Sequence, residues 1–264
     1  MNGERLSIVV PLYNEERRIA RLVEELTTHA TEDVGAAGLE LLEIIAVDDG
    51  STDSTVDRLR AAARIFPALR ALADGAPNAG KGAAVARGVT SARGEWVLVI
   101  DSDLATPLDQ LSALTALVDS GADVAIASRD QPGAVVIGAP PHRYVLGRAF
   151  NRIVRVLTGL RLRDTQCGFK LLRTADARDL TRDQVVRRWA FDVELLLRAR
   201  HAGLETAEAP VYYLHGGNST LAAWSAAPRM LLDVLRLTWA LGRSPEARAA
   251  TRPRPPANPG QTAG

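Results

Sequence analysis

The sequence predicts an α/β fold: a mostly parallel sheet flanked by helices, with amphipathic helices toward the C-terminus. Three observations predict it. Short apolar runs alternate with amphipathic helical stretches four times over the first half of the chain. The runs are rich in β-branched residues and lack polar alternation, which is the pattern of strands buried on both faces. Acidic residues stand at the ends of two of these runs, Asp48 and Asp49 at one, Asp101 and Asp103 at the other. Open α/β sheets bind ligands beyond the carboxyl ends of their strands.

The elements follow in order. Leu6 to Leu12 reads as the first strand, and Tyr13-Asn14-Glu15-Glu16 opens a helix with Ile19, Leu22, Val23 and Leu26 on its core stripe. Leu41 to Val47 is a second buried strand ending in Asp48-Asp49-Gly50-Ser51. Thr52, Asp53 and Ser54 offer N-cap oxygens to the next helix, with Val56 and Leu59 inward. Leu69 to Ala73 is a weaker strand. Asn78-Ala79-Gly80-Lys81-Gly82 turns into a helix over 83–92. The run Trp96 to Ile100 ends at Asp101-Ser102-Asp103, Pro107 begins a helix with Leu108, Leu111, Leu114 and Val118 inward, and Asp123 to Ala127 is a strand ending at Ser128-Arg129.

The second half reads differently. Residues 131–141 form a Gly/Pro-rich loop, and a helix over 143–158 has Leu146, Phe150, Ile153, Val154 and Leu157 on its apolar face. Arg148, Arg152 and Arg155 form a basic stripe on that helix, either a plain solvated face or a helix lying on an anionic membrane surface. A short strand follows Lys170, Arg188 to Glu194 opens a helix through Arg200, Leu204 to Tyr213 is a late strand, and 228–241 is a helix with a wide apolar face beside Arg229, Asp233 and Arg236.

The 264 residues, 47% hydrophobic, support one large domain, expected over 1–243 with halves about 1–128 and 129–243. The stretch 244–264 holds five prolines and little apolar bulk and is expected to be disordered. A net charge of +1 leaves no global field for nucleic acid. The single Cys167 excludes an intrachain disulfide and suits a reducing compartment. No run of 18 apolar residues predicts a transmembrane helix, and no signal peptide is read before the first strand.

The central chemistry lies at Asp101 and Asp103. In an extended segment, residues two apart face the same side, so both carboxylates can address one hard divalent cation, Mg²⁺ or Mn²⁺. The plain alternative is an acidic turn that caps a helix. Cys167 reads as a small buried thiol, and Trp189 and Phe191 as core. His215 with Gly216-Gly217 is either a lid or a plain loop. His29, His142 and His201 stand isolated.

Val10-Pro-Leu-Tyr-Asn-Glu15, Asp48-Asp-Gly-Ser51, Asn78-Ala-Gly-Lys-Gly82 and Asp101-Ser-Asp103, in this order, resemble the family 2 glycosyltransferases of GT-A fold. Asp164-Thr-Gln-Cys-Gly-Phe-Lys170 and Arg188-Trp-Ala-Phe-Asp-Val-Glu194 look like the dolichyl-phosphate β-glucosyltransferase branch, relatives of the dolichyl-phosphate mannose synthases. The resemblance implies that Pro11, Tyr13 and Glu15 border the nucleoside of a UDP-sugar and that Asp48 or Asp49 contacts uracil or ribose. Lys81 and Ser102 would lie at the nucleotide sugar, and Asp101 and Asp103 would hold the ion. It also implies that Arg129 and Arg143 bind the phosphate of a polyprenyl acceptor, and that Asp192 matches the acid many members use as a base. Two positions depart from the pattern. Ala105 stands where the mannose synthases carry glutamine, which leaves one ion ligand to water or a phosphate oxygen. Leu104 stands where the glucosyltransferase branch carries glycine. The N-terminal anchor of eukaryotic members is expected to be absent, which leaves the mode of membrane attachment open.

The expected activity is inverting transfer of a hexose, glucose favoured, to a polyprenyl phosphate at the cytoplasmic face of a membrane. A phosphomonoester is anionic near neutral pH and needs arginines more than a base, so Asp192 would orient rather than deprotonate. A hydroxyl acceptor would instead require Asp192 as base. A third reading is a non-catalytic nucleotide-sugar-binding module.

Overall fold

The structure, a computed structural model, describes residues 3–215 and 227–242, apart from the side chains of 141–144, 227, 228 and 242. The expected tail 244–264 and the glycines at 216 and 217 lie outside the described residues. Nine strands appear among those described: β1 Arg5–Leu12, β2 Glu40–Asp48, β3 Leu69–Leu72, β4 Trp96–Val99, β5 Val124–Ser128, β6 Val135–Ile137, β7 Lys170–Arg173, β8 Thr206–Pro210 and β9 Tyr212–Leu214. The helices are α1 Ile19–Ala36, α2 Thr55–Ile65, α3 Lys81–Ser91, α4 Leu111–Asp119, α5 Pro141–Thr158, α6 Thr174–Arg182, α7 Phe191–His201 and α8 Ala227–Gly242. Seven strands form one sheet in the order β3-β2-β1-β4-β7-β5-β8, and β6 pairs with β9 in a small parallel sheet.

The expected α/β architecture is present. β1 pairs in parallel with β2 and β4, β2 with β3, and β5 with β8. Alternate side chains of β1 serve opposite layers. Leu6, Ile8, Val10 and Leu12 join the core beneath α1, α2 and α4. Val9, with Ile45, Val47, Val97 and Val99, joins the core beneath α3, α6 and α7. Each layer excludes water from one face of the sheet, so the strands carry apolar residues on both sides.

Several elements differ from the sequence reading for physical reasons. The first helix begins at Ile19 rather than at Tyr13, because Asn14 takes a left-handed conformation (φ 54°) and the Glu15 amide donates to Thr55 Oγ1 at 2.7 Å. The loop 131–141 contains β6, and the late strand divides at Val211 into β8 and β9. The strand after Lys170 runs antiparallel to both β4 and β5. Helix α6 went unread because only Ala177 and Leu180 give its short polar sequence an apolar face. On α5, Val154 is buried, but Leu146 and Ile153 face solvent. Phe191 is core as expected, whereas Trp189 is 48% exposed.

Candidate active site

The carboxyl ends of β1, β2, β4 and β5 lie along one sheet edge, and the loops leaving them build the site. Pro11 sits in β1 beyond Val9, the last residue that pairs with β4, where the sheet opens and its missing N–H is harmless. Tyr13 is exposed. Glu15 is buried: one oxygen accepts from Ser102 Oγ at 2.8 Å, and the other accepts from Arg18 Nε at 2.6 Å. It ties the loop after β1 to the loop after β4.

Asp48 and Asp49 divide their work. Asp48 caps its own turn, accepting from the Gly50 amide at 3.1 Å and the Ser51 amide at 3.2 Å. Asp49 accepts from the amides of Ala79 at 2.9 Å and Gly80 at 2.8 Å. That clasp fixes the turn in which Gly80 (φ 105°) leads into α3. The result places Lys81, the first residue of α3, with its Nζ 2.5 Å from Asp101 Oδ1. Lys81 Nζ also lies 5.9 Å from the Trp189 ring and 5.3 Å from the Phe191 ring. Burial disfavours its charge, but Asp101 and Asp192 more than compensate, so the ammonium is held above its ordinary pKa.

The segment Asp101-Ser102-Asp103 turns tightly, with Leu104 left-handed (φ 49°) and the Ala105 amide donating to Asp103 Oδ1 at 3.1 Å. Burial works to raise the pKa of Asp101, yet Lys81, Lys170 and Arg129 around it bring it below the ordinary carboxylate value. Asp103 behaves oppositely. The walls of the site and the Asp101 charge raise its pKa. It is the one acid of this cluster with no ion pair among the described residues.

Two aspartates with one unmatched charge are a donor set that fits a hard divalent cation. No third His, Cys, Asp or Glu joins them among the described residues. The remaining ligands would therefore be substrate oxygens and water.

Antiparallel β7 delivers the second group of residues. Because it runs against β4, the loop that precedes it, Asp164 to Phe169, reaches the same edge as Asp101. Asp164 is buried and grips Arg129 bidentately, accepting from Nε at 2.6 Å and Nη2 at 2.9 Å. Burial pushes the Asp164 pKa up, but Arg129 outweighs it and holds the carboxyl far below the usual range. Arg129 also lies 5.2 Å from the ring of Tyr213, whose hydroxyl is pushed up to about 12 by burial. Cys167 is buried, as expected, and its thiol is pushed up to about 11.

Lys170 and Asp192 form a buried ion pair at 2.5 Å. Burial raises the Asp192 pKa, and Lys170 and Lys81 partly offset this. Gly168 passes directly against the Asp101 carboxylate, where a Cβ would overlap its oxygens. The structure thus brings Asp101, Asp103, Lys81, Arg129 and Asp192 together. Arg143 lies in the first turn of α5, with its side chain outside the described residues. Sequence reasoning missed Asp164, Lys170, Gly168 and Tyr213 as site residues. The signal available for the first three was their shared motif at 164–170.

A comparison with protein families matches residues 7–181 to Glycosyl transferase family 2. Dolichyl-phosphate beta-glucosyltransferase ALG5C of Trichomonas vaginalis is 34% identical over 237 residues, covering 88% of this chain and 70% of that protein. The dolichyl-phosphate beta-glucosyltransferase of Drosophila melanogaster is 35% identical over 234 residues, covering 83% of this chain and 70% of its own length. Among solved structures, glucosyl-3-phosphoglycerate synthase from Mycobacterium tuberculosis, in complex with Mn²⁺, uridine diphosphate and phosphoglyceric acid, superposes with a TM-score of 0.66. The identity is 20%, and 89% of this chain and 78% of that chain are covered. This likeness establishes a shared fold.

Proposed function

Because this chain belongs to Glycosyl transferase family 2, we propose that it transfers glucose from UDP-glucose to the phosphate of a polyprenol or dolichol, with inversion at the anomeric carbon. The observation that carries the acceptor class is Arg129, fixed at the sheet edge by Asp164 beside the Asp101 cluster. A guanidinium already oriented by a carboxylate presents its remaining N–H groups to a second anion without further ordering. The names of the relatives point to a dolichyl phosphate acceptor. The donor is taken as UDP-glucose from the resemblance of the 164–170 and 188–194 segments to the glucosyltransferase branch.

In this reading Asp101 and Asp103 hold Mg²⁺ or Mn²⁺, which supplies Lewis-acid charge to the diphosphate leaving group. Lys81 adds a fixed positive charge on the same side. Arg129 and Arg143 hold the acceptor phosphate. Its second pKa is about 6, so it attacks as an anion and asks for no base. Asp192 is a positioning residue: buried and paired with Lys170, it keeps that cation beside Asp101. No helix among the described residues is long and apolar enough to cross a membrane. The enzyme would work as a peripheral protein at the cytoplasmic membrane face, where nucleotide sugars are available.

The test is a partition assay with radiolabelled UDP- and GDP-sugars, short-chain polyprenyl phosphate and Mg²⁺ or Mn²⁺. Label from UDP-glucose is expected in the organic phase, and chelation of the cation should stop transfer. Arg129→Lys combined with Arg143→Ala should lose transfer while retaining UDP binding. Absence of transfer from every donor, despite measurable UDP binding, would overturn the lipid-phosphate reading in favour of a hydroxyl acceptor.

A further inference from the structure

Helix α5 turns a divided surface to solvent. At 3.6 residues per turn, Arg148, Arg152 and Arg155 fall along one edge of its exposed face. Val145 and Val156, 64% and 79% exposed, run beside them, and Leu146 and Ile153 lie at the far edge. After α5 the chain turns back at Gly159 and adds Arg161 and Arg163. The two segments enclose a cleft of about 740 Å³. Among the described residues Asp130 is the only acid on its wall, and it lies 3.6 Å from Arg148. The guanidinium groups of Arg152, Arg155, Arg161 and Arg163 have no partner among the described residues.

Cationic side chains gathered in one recess without matching acids repel one another and concentrate anions. The guanidinium fork suits phosphate oxygens in particular. The rim identifies the source of that phosphate. Exposed valines flank the basic edge, and α8, packed against α5, exposes Leu232, Leu235 and Trp239. A basic edge beside an apolar strip is the surface of a helix lying in a bilayer interface. A soluble phosphate has no use for the apolar part.

We propose that this cleft receives the phosphate headgroup of an anionic phospholipid, separately from the acceptor phosphate, and seats α5 on the membrane. The cleft is rigidly joined to the proposed acceptor site. Asn151 of α5 accepts from Thr165 Oγ1 at 2.8 Å and lies 3.5 Å from Asp164, the residue that grips Arg129. Docking at the cleft therefore sets the height of Arg129 over the bilayer. The choice of a bilayer occupant rests on the membrane-surface reading above; the arginine geometry does not.

Vesicle flotation of the full chain tests it, with phosphatidylcholine alone or mixed with phosphatidylglycerol. The protein should float with the anionic vesicles far more than with the neutral ones, and added salt should weaken this. Arg152→Gln, Arg155→Gln and Arg161→Gln together should reduce binding to anionic vesicles on the order of a hundredfold. The corresponding triple lysine variant should keep most of it, which separates lost charge from lost folding. A triple glutamine variant that floats like the parent protein would overturn the proposal. So would binding of inorganic phosphate by a protein that floats no better with anionic than with neutral vesicles, which would mark a free-phosphate site. The readout is binding, so failure of glucosyl transfer to a water-soluble short-chain acceptor counts against the reaction alone, and failure of flotation against the cleft alone.

Discussion

At Gly168 the main chain runs so close to the Asp101 carboxylate that a methyl group would overlap its oxygens. Gly168→Ala should therefore displace Asp101 from its Lys81 pairing and lower transfer on the order of a hundredfold. Cooperative melting should persist, and steady-state assays beside thermal melts would show both. Single residues were legible where their role is local. Asp101 and Asp103 announce themselves as two acids ending an apolar run. Leu104 stands where the resembled branch carries glycine, and its left-handed backbone accounts for that glycine. The Lys170–Asp192 pair and the Asp49 clasp on the 79–80 amides were not legible. Each joins groups more than twenty residues apart, and no spacing rule links them.

Among the elements, β2 carries a carboxylate that its apolar composition hides. Glu43 is buried and accepts from Ser7 Oγ at 2.9 Å, from the Arg93 amide and guanidinium at 2.8 Å, and from Arg70. Burial alone would raise its pKa, but the two arginines lower it below the ordinary value. A depressed folded-state pKa means that the stabilisation is present above the unfolded carboxylate value of about 4.3 and is lost as pH falls toward the folded one. Glu43→Gln should lower stability near neutral pH by about 2 kcal/mol and flatten the decline below that window; urea melts across acidic pH would measure it. β1, β2, β4 and β5 were readable because an apolar run buried on both faces has one plain interpretation. β6 and β9 were not, since three residues carry no periodicity. Whether an exposed apolar residue of α5 belongs to the core is decided by neighbouring elements, which is why Leu146 and Ile153 were misplaced.

For the whole molecule, the side-by-side packing of α5 and α8 creates a surface that neither helix has alone. Trp239 is 64% exposed there, beside Leu232 and Leu235. Replacing all three with serine should lower the residual association with neutral vesicles on the order of tenfold. Transfer to a water-soluble short-chain acceptor should be unchanged. Flotation on phosphatidylcholine vesicles and the partition assay would check the two halves. The order of strands in the sheet could not be read from sequence, because it depends on pairings between distant segments rather than on the composition of any one of them.

The position of β7 has a consequence for how this molecule is made. β4 and β5 have no common neighbour until residues 170–173 arrive between them. During synthesis both strands therefore wait with an unpaired backbone edge while the intervening stretch emerges. An unpaired edge invites pairing with another chain. A protein cut short before Lys170 would keep every parallel crossover of its first half and still aggregate. One extended to Arg173 would have the strand that closes the gap.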